Sequence, residues 1–235
     1  MIISASRRTD IPAFYSDWFF NRIEEQFVLV RNPMNNSQIR KIALDPNNVE
    51  CFVFWSKNPK PMLPVLEKLN NYHYYFQFTL NPYEQDIETN LPDKTERIDT
   101  FKKLSDKLGA HRVIWRYDPV LVNSKYTILY HTENFGKLAN MLKGYTEKVT
   151  FSFIDFYSKI KQNIAAHKIE NIDSETKNKI AKDFAAIAHE NFLAIDTCAE
   201  AIDLSQCCKQ QKQEAHSRLS CIDRQFLAKN HIKLS

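Results

Sequence analysis

The stretch Arg112-Val113-Ile114-Trp115-Arg116-Tyr117-Asp118-Pro119 decides the fold. A β-branched and aromatic run reads as a strand over Arg112–Arg116 and stops abruptly in charged residues. The same pattern recurs at Ser6-Arg7-Arg8-Thr9-Asp10, Trp55-Ser56-Lys57-Asn58, Thr79-Leu80-Asn81, Ser152-Phe153-Ile154-Asp155 and Asp196-Thr197-Cys198-Ala199-Glu200. Helix-like sequence follows each ending. Strands alternating with helices predict right-handed parallel β-α units. Repeating units whose strands end in reactive side chains predict a partial or complete TIM-like (β/α) barrel with its site at one rim.

Further strands are expected at Ile2–Ser4, Phe27–Arg31, Cys51–Trp55, Tyr74–Leu80, Val149–Ile154 and Phe192–Asp196. Between them, apolar residues recur at helical spacing. Ile98, Phe101, Leu104 and Leu108 form one stripe, with Asp93 as N-cap and Gly109 just past the end. Phe135, Leu138, Ala139 and Leu142 form another, closed by Gly144, and Ile180, Phe184, Ile187 and Ala188 a third, opened by Ser174. Met62, Leu66 and Leu69 form a shorter one behind Pro61. The region from Phe27 to Asn48 fits the alternation least well and predicts a β-hairpin-like insertion. The reading is one β/α barrel domain over residues 1–235, with a polar tail from about residue 201 in which Gln206–Ser217 is loop or exposed helix.

With 235 residues, 43% of them hydrophobic and 26% charged, the chain has enough material for one large core. The net charge of +4 is mild, but Arg7, Arg8, Lys57 and Arg116 all fall near expected strand ends. Cations gathered there favour an anionic substrate. Only Gly109, Gly136 and Gly144 are glycines, which excludes a Walker loop and a dinucleotide fingerprint. The N-terminus starts directly in a strand, and no apolar run suits a signal peptide or a membrane span. Five cysteines, an odd number, point to a cytoplasmic protein rather than a disulfide scaffold.

Several residues are candidates for chemistry. Arg7, Arg8 and Asp10 stand just before Pro12, which suits the first turn of a helix. The arginines would hold a phosphate or carboxylate, or else Asp10 caps the helix and pairs with one of them. Arg116 and Asp118 share side-chain parity, as a buried structural pair or as a substrate-positioning one. Trp55, Trp115 and Tyr117 either stack on a planar ligand or fill the core. Asp155, Asp196 and Glu200 are carboxylates at later strand ends, suited to a divalent cation or to acid–base work. The histidines show no zinc spacing. Cys198, Cys207, Cys208 and Cys221 match no standard cluster pattern, and Cys51 reads as core.

The segments Ser4-Ala5-Ser6-Arg7-Arg8-Thr9-Asp10-Ile11-Pro12-Ala13-Phe14, Phe54-Trp55-Ser56-Lys57-Asn58-Pro59, Trp115-Arg116-Tyr117-Asp118-Pro119, Thr197-Cys198-Ala199-Glu200 and Cys221-Ile222-Asp223 resemble the bacterial domain-of-unknown-function family 1848 over essentially the whole chain. The resemblance implies a barrel similar to the radical-SAM core. Fuller members of that family look as though they carry a further Cys-x-Cys pair and a Cys-x3-Cys-x2-Cys run. By that resemblance Cys198 and Cys221 join an auxiliary iron–sulfur cluster, with S-adenosylmethionine as a cofactor in full-length relatives. The present chain has no Cys-x3-Cys-x2-Cys, so the expectation is a truncated chain or a member that has lost the cluster segment.

Three functional readings follow. The first is an enzyme binding an anionic or nucleotide-like substrate through Arg7, Arg8, Trp55, Lys57, Asn58, Arg116 and Tyr117, with Asp10, Asp118, Asp155 and Glu200 orienting it or moving protons. The second is a carboxylate-metal-dependent hydrolase or lyase, which predicts Asp155, Asp196 and Glu200 converging. The third is a non-catalytic module for nucleic acid or a protein partner, with a basic, aromatic-studded surface outside the barrel mouth.

Overall fold

The computed structural model describes residues 1–6, 8–198, 202 and 222–232. Its strands are β1 (Ile2–Ser4), β2 (Phe27–Asn32), β3 (Asn35–Ala43), β4 (Cys51–Ser56), β5 (Tyr74–Thr79), β6 (Val113–Val120), β7 (Lys148–Phe153) and β8 (Ala194–Thr197). Its helices are α1 (Ile11–Phe14), α2 (Ser16–Glu24), α3 (Lys94–Leu108), α4 (Ile128–Met141), α5 (Lys161–Ala166), α6 (Ser174–Glu190) and α7 (Arg224–Lys229), with a 3-10 helix at Lys60–Leu69. The chain divides into two units, Met1–Phe78 with Arg224–Ser235, and Thr79–Asp223.

In the first unit β4 lies between β1 and β5, and both pairings are parallel. Phe52, Val53, Phe54, Tyr75 and Phe76 are fully buried, so these strands read as continuous apolar runs rather than alternating ones. Phe19 of α2 sets its ring edge-on to Phe52 and Phe54, with centroids 5.4 and 5.2 Å away. Each such ring removed from water contributes about 1.5–3 kcal/mol. Phe226 of α7 packs on Tyr75 at 4.6 Å. β2 and β3 form a separate antiparallel hairpin, as the break in the alternation predicts.

In the second unit β7 lies between β6 and β8, again parallel, with Trp115 beside Val149 and Val149 beside Ile195. Phe135 of α4 and Phe184 of α6 stack at 4.1 Å, and Tyr117 and Phe151 meet Phe184 edge-on. The α3 boundaries follow the expectation. Asp93 caps through Glu96 N at 2.8 Å, and Gly109 ends the helix at φ 92°. A Cβ on Gly109 would sit 2.9 Å from His111 Cε1, so both backbone angle and space demand glycine.

Two expectations need correction. The stripe at Met62, Leu66 and Leu69 belongs to a 3-10 helix, because Pro61 and Pro64 have no N–H to give to an α-helical ladder. α6 opens at Ser174 as expected, with Asp173 as its N-cap accepting from Thr176 N at 2.7 Å. The six parallel strands, three in each unit, form no closed barrel among the described residues, and β1 and β8 each pair with a single strand. The fold is mixed α/β built from parallel strands and helices. One reason for the shortfall is local, since the second strand-like run is spent on the antiparallel hairpin. Of the expected polar tail, Gln206–Ser217 lies outside the described residues, while Arg224–Lys229 form α7, whose Phe226 and Leu227 are buried. Among the described residues, no helix is long and apolar enough to cross a membrane.

Candidate functional site

Extended backbone turns alternate side chains of β6 to opposite faces. Tyr117 goes into the core, where its hydroxyl meets His131 Nδ1 at 2.7 Å. His131 Nε2 lies 2.7 Å from the Leu121 carbonyl, so Nε2 carries the proton and Nδ1 accepts from the phenol. Burial pushes the Tyr117 phenol well above its ordinary pKa and pulls His131 down to about 4. Tyr117, a sequence candidate for substrate binding, is thus sealed beneath the strands together with Trp115.

Arg116 and Asp118 share the other face. Arg116 is 2% exposed, and its Nε donates to Asp118 Oδ2 at 3.0 Å while Nη2 donates to the same oxygen. Ser152, near the end of β7, donates its hydroxyl to Asp118 Oδ1. Cys198 follows β8 directly, its N–H held by the Phe151 carbonyl at 3.0 Å, and its sulfur hydrogen-bonds to Arg116. Burial works against the guanidinium charge, but Asp118 and then Cys198 hold its pKa above the ordinary arginine value. The carboxyl ends of three neighbouring parallel strands therefore share one hydrogen-bonded cluster.

A buried side chain sets the backbone beneath it. Asn81 Oδ1 accepts from Asp118 N at 2.9 Å, and Asn81 Nδ2 donates to the Asp118 carbonyl at 2.8 Å. Glu88 Oε1 accepts from the same Nδ2 at 3.4 Å, and Glu88 Oε2 pairs with Arg97 at 2.8 Å. Both partners of that ion pair have side chains only 3% exposed. Asn81 thus does for Asp118 what a neighbouring strand does elsewhere in a sheet. The Asp118–Pro119 peptide is cis, and the β6–β7 register shifts between Tyr117 and Val120.

The remaining carboxylates of this unit stand apart. Asp155 is exposed and accepts from the Tyr157 hydroxyl at 2.7 Å, and among the described residues no hydrogen bond joins it to the cluster. Asp196 pairs with Lys148 at 3.2 Å, and Lys148 also reaches Asp223 at 3.7 Å. No group of three or more His, Cys, Asp or Glu side chains is placed to hold a metal among the described residues.

The first unit has its own strand-end cluster. Asp10 caps α1 through Ala13 N at 3.0 Å, and its second oxygen accepts from Lys57 N at 2.8 Å and Ser56 Oγ at 3.1 Å. Asn58 N donates to Ser56 Oγ at 3.0 Å, and Trp55 N to Ser6 Oγ at 3.3 Å. Arg8 is exposed and donates to the Arg31 carbonyl at 3.2 Å. Asp10 thereby joins the ends of β1 and β4 through main-chain N–H groups.

Arg7, Glu200, Cys207, Cys208 and Cys221 lie outside the described residues. Cys51 is fully buried in β4 with its thiol on the Phe52 carbonyl at 3.4 Å. The described residues thus bring one solvent-reachable thiol, Cys198, and do not assemble ligands for an iron–sulfur cluster. Sequence reading singled out Arg116, Asp118 and Cys198, which the structure brings together. It placed Asn81 and Ser152 in strand endings without giving either a role, and it missed Glu88 and Arg97. The usable signal for Ser152 was a hydroxyl between two phenylalanines of an otherwise apolar strand.

An α/β protein with parallel strands and a polar cluster at their carboxyl ends is the class these features define. The chain belongs to the family described as Domain of unknown function (DUF1848), whose model matches residues 2–233. No curated protein and no solved structure matches it significantly.

Proposed function

We propose that the chain is a cytoplasmic enzyme that binds an anionic or nucleotide-like substrate at the carboxyl ends of β6, β7 and β8. The observation carrying this reading is the buried Arg116 guanidinium shared between Asp118 and the Cys198 sulfur. Open α/β sheets bind ligands at the carboxyl ends of their strands, because loops there are free to vary while the sheet holds them. A fixed cation orients an acidic group through paired N–H donors. In this reading Asp118, whose side chain is 27% exposed, exchanges a proton with a bound molecule, and Cys198 adds a soft nucleophile beside it.

In this reading Asp10 positions the β1–β4 loop rather than moving protons, since backbone and hydroxyl donors occupy its oxygens. Arg8, Trp55, Lys57 and Asn58 remain anion- and base-contacting candidates of the first unit. The finer architecture proposed is a partial β/α barrel similar to the radical-SAM core. Its iron–sulfur extension rests on Cys198 and on Cys221, which is not described, so no step is derived through a cluster. A carboxylate-bound metal is less well supported, since Asp196 is engaged by Lys148.

Isothermal titration with inorganic phosphate, AMP and S-adenosylmethionine tests the reading. At least one probe should bind, and Arg116→Lys should weaken it about tenfold or more, because the substitution keeps charge but loses the planar fork. Binding of none of the three, or equal binding by the variant, removes the reading. Iron and sulfide content after oxygen-free purification tests the cluster extension separately.

A further inference from the structure

The β2–β3 hairpin belongs to neither set of parallel strands, and its composition is one-sided. From Phe27 to Ala43 it carries Arg31, Arg40 and Lys41 and no aspartate or glutamate. All three cations are exposed, and every residue from Asn35 to Lys41 is exposed. Arg8 adds a fourth cation by donating to the Arg31 carbonyl.

The register explains why the hairpin has two different faces. Leu29 lies opposite Lys41 and Arg31 opposite Ile39, so these four side chains share one face. Leu29 and Ile39 there are 58% and 53% exposed. Val28, Val30, Arg40 and Ile42 take the other face, where the three apolar residues are half-buried and Arg40 is exposed. Lys41 stands over the Phe27 ring at 4.2 Å, which directs its ammonium along the hairpin. The far end is rich in amides, with Asn32, Asn35, Asn36, Ser37 and Gln38 around an exposed Met34. Asn32 donates to Gln38 Oε1 at 2.8 Å and accepts from Met34 N at 2.9 Å, and Asn35 Oδ1 accepts from Ser37 N at 3.1 Å, so part of this polar set closes the turn.

We propose that this hairpin is a docking ribbon for double-stranded DNA, with Arg31 and Lys41 of one face and Arg40 of the other on phosphates and the amide-rich end toward base edges. The major groove of B-DNA admits a two-stranded β-ribbon. Uniform positive charge attracts the phosphate backbone without needing a particular sequence. The amides are the feature that favours DNA over an anionic membrane. They would lose hydrogen bonds among acyl chains, whereas base edges and sugars supply new ones.

The test is fluorescence anisotropy of a labelled duplex two helical turns long, titrated with the full chain from about 50 to 200 mM salt. The comparison is with Arg31→Ala/Arg40→Ala/Lys41→Ala. A second variant, Lys103→Ala/Lys137→Ala/Lys182→Ala, removes the same charge from exposed helix positions. Wild type should bind with an affinity that falls steeply with salt. The hairpin variant should flatten the log–log salt slope by about 2 to 3, while the helix variant keeps both slope and affinity. No duplex binding, equal losses in both variants, or binding to phosphatidylserine vesicles in place of DNA would overturn the proposal.

Discussion

Asp10 and Asp118 are the same side chain at the same kind of place, the carboxyl end of a parallel strand, yet their surroundings differ. Asp10 accepts from two backbone N–H groups and one hydroxyl, and its neighbours are the start of α1 and the end of β4. Asp118 accepts from a guanidinium and a hydroxyl, and that guanidinium also touches a thiol. A carboxylate satisfied by main chain shapes a loop. One satisfied by side chains that can exchange partners is available to a ligand. Sequence position does not separate the two cases, whereas donor type does.

The largest expected effect is on stability. Asp118→Ala strips a buried arginine of its counter-charge and should cost about 3–5 kcal/mol in urea unfolding. Asp10→Ala removes a helix cap and two further hydrogen bonds, for about 1–3 kcal/mol. Equal losses would erase the distinction between the clusters.

The next effect is on pH dependence and belongs to the core under the second cluster. His131 is held neutral in the fold at a pKa of about 4, against 6.5 for an ordinary histidine. As pH falls below about 6.5 the unfolded chain takes up a proton that the native state refuses, so stability declines down to about pH 4 and this group contributes no further loss below it. The shift corresponds to roughly 3 kcal/mol. Urea midpoints between pH 7 and pH 4 should show this slope, and His131→Gln should flatten it.

The smallest effect sharpens the comparison most. Ser56→Ala and Ser152→Ala each delete a hydroxyl bonded to an aspartate and should cost about 1 kcal/mol apiece. Only Ser152→Ala should change the alkylation rate of Cys198. A change from Ser56→Ala would show that the first-unit loop also controls that thiol.

Much of this is legible in the amino-acid sequence. The parallel strands are visible as short apolar runs because burial on both faces leaves no alternation to confuse them. Asp93 and Gly109 mark both ends of α3 because capping and positive φ have specific residue requirements. Arg116 and Asp118 sit two apart in an extended strand, so their shared face follows from parity. Glu88 and Arg97 were not legible, and Asn81 only as a strand-end residue without a role, because their meaning lies in contacts between residues distant in sequence. Tyr117 was ambiguous for the opposite reason. An aromatic at a strand end serves a core and a ligand equally well until burial decides, and its zero exposure decides for the core.

The central claim is that the Arg116 cation commands the space around Cys198. The direct test is the ratio of Cys198 carboxymethylation by iodoacetate to its alkylation by iodoacetamide, read by peptide mass spectrometry against the same ratio for free cysteine. The ratio cancels the ionisation state of the thiol and reports only the field felt by an anion. A ratio about tenfold above free cysteine, falling in Arg116→Lys, is the predicted result. A ratio at or below that of free cysteine would contradict the assignment of an anion site to the ends of β6, β7 and β8.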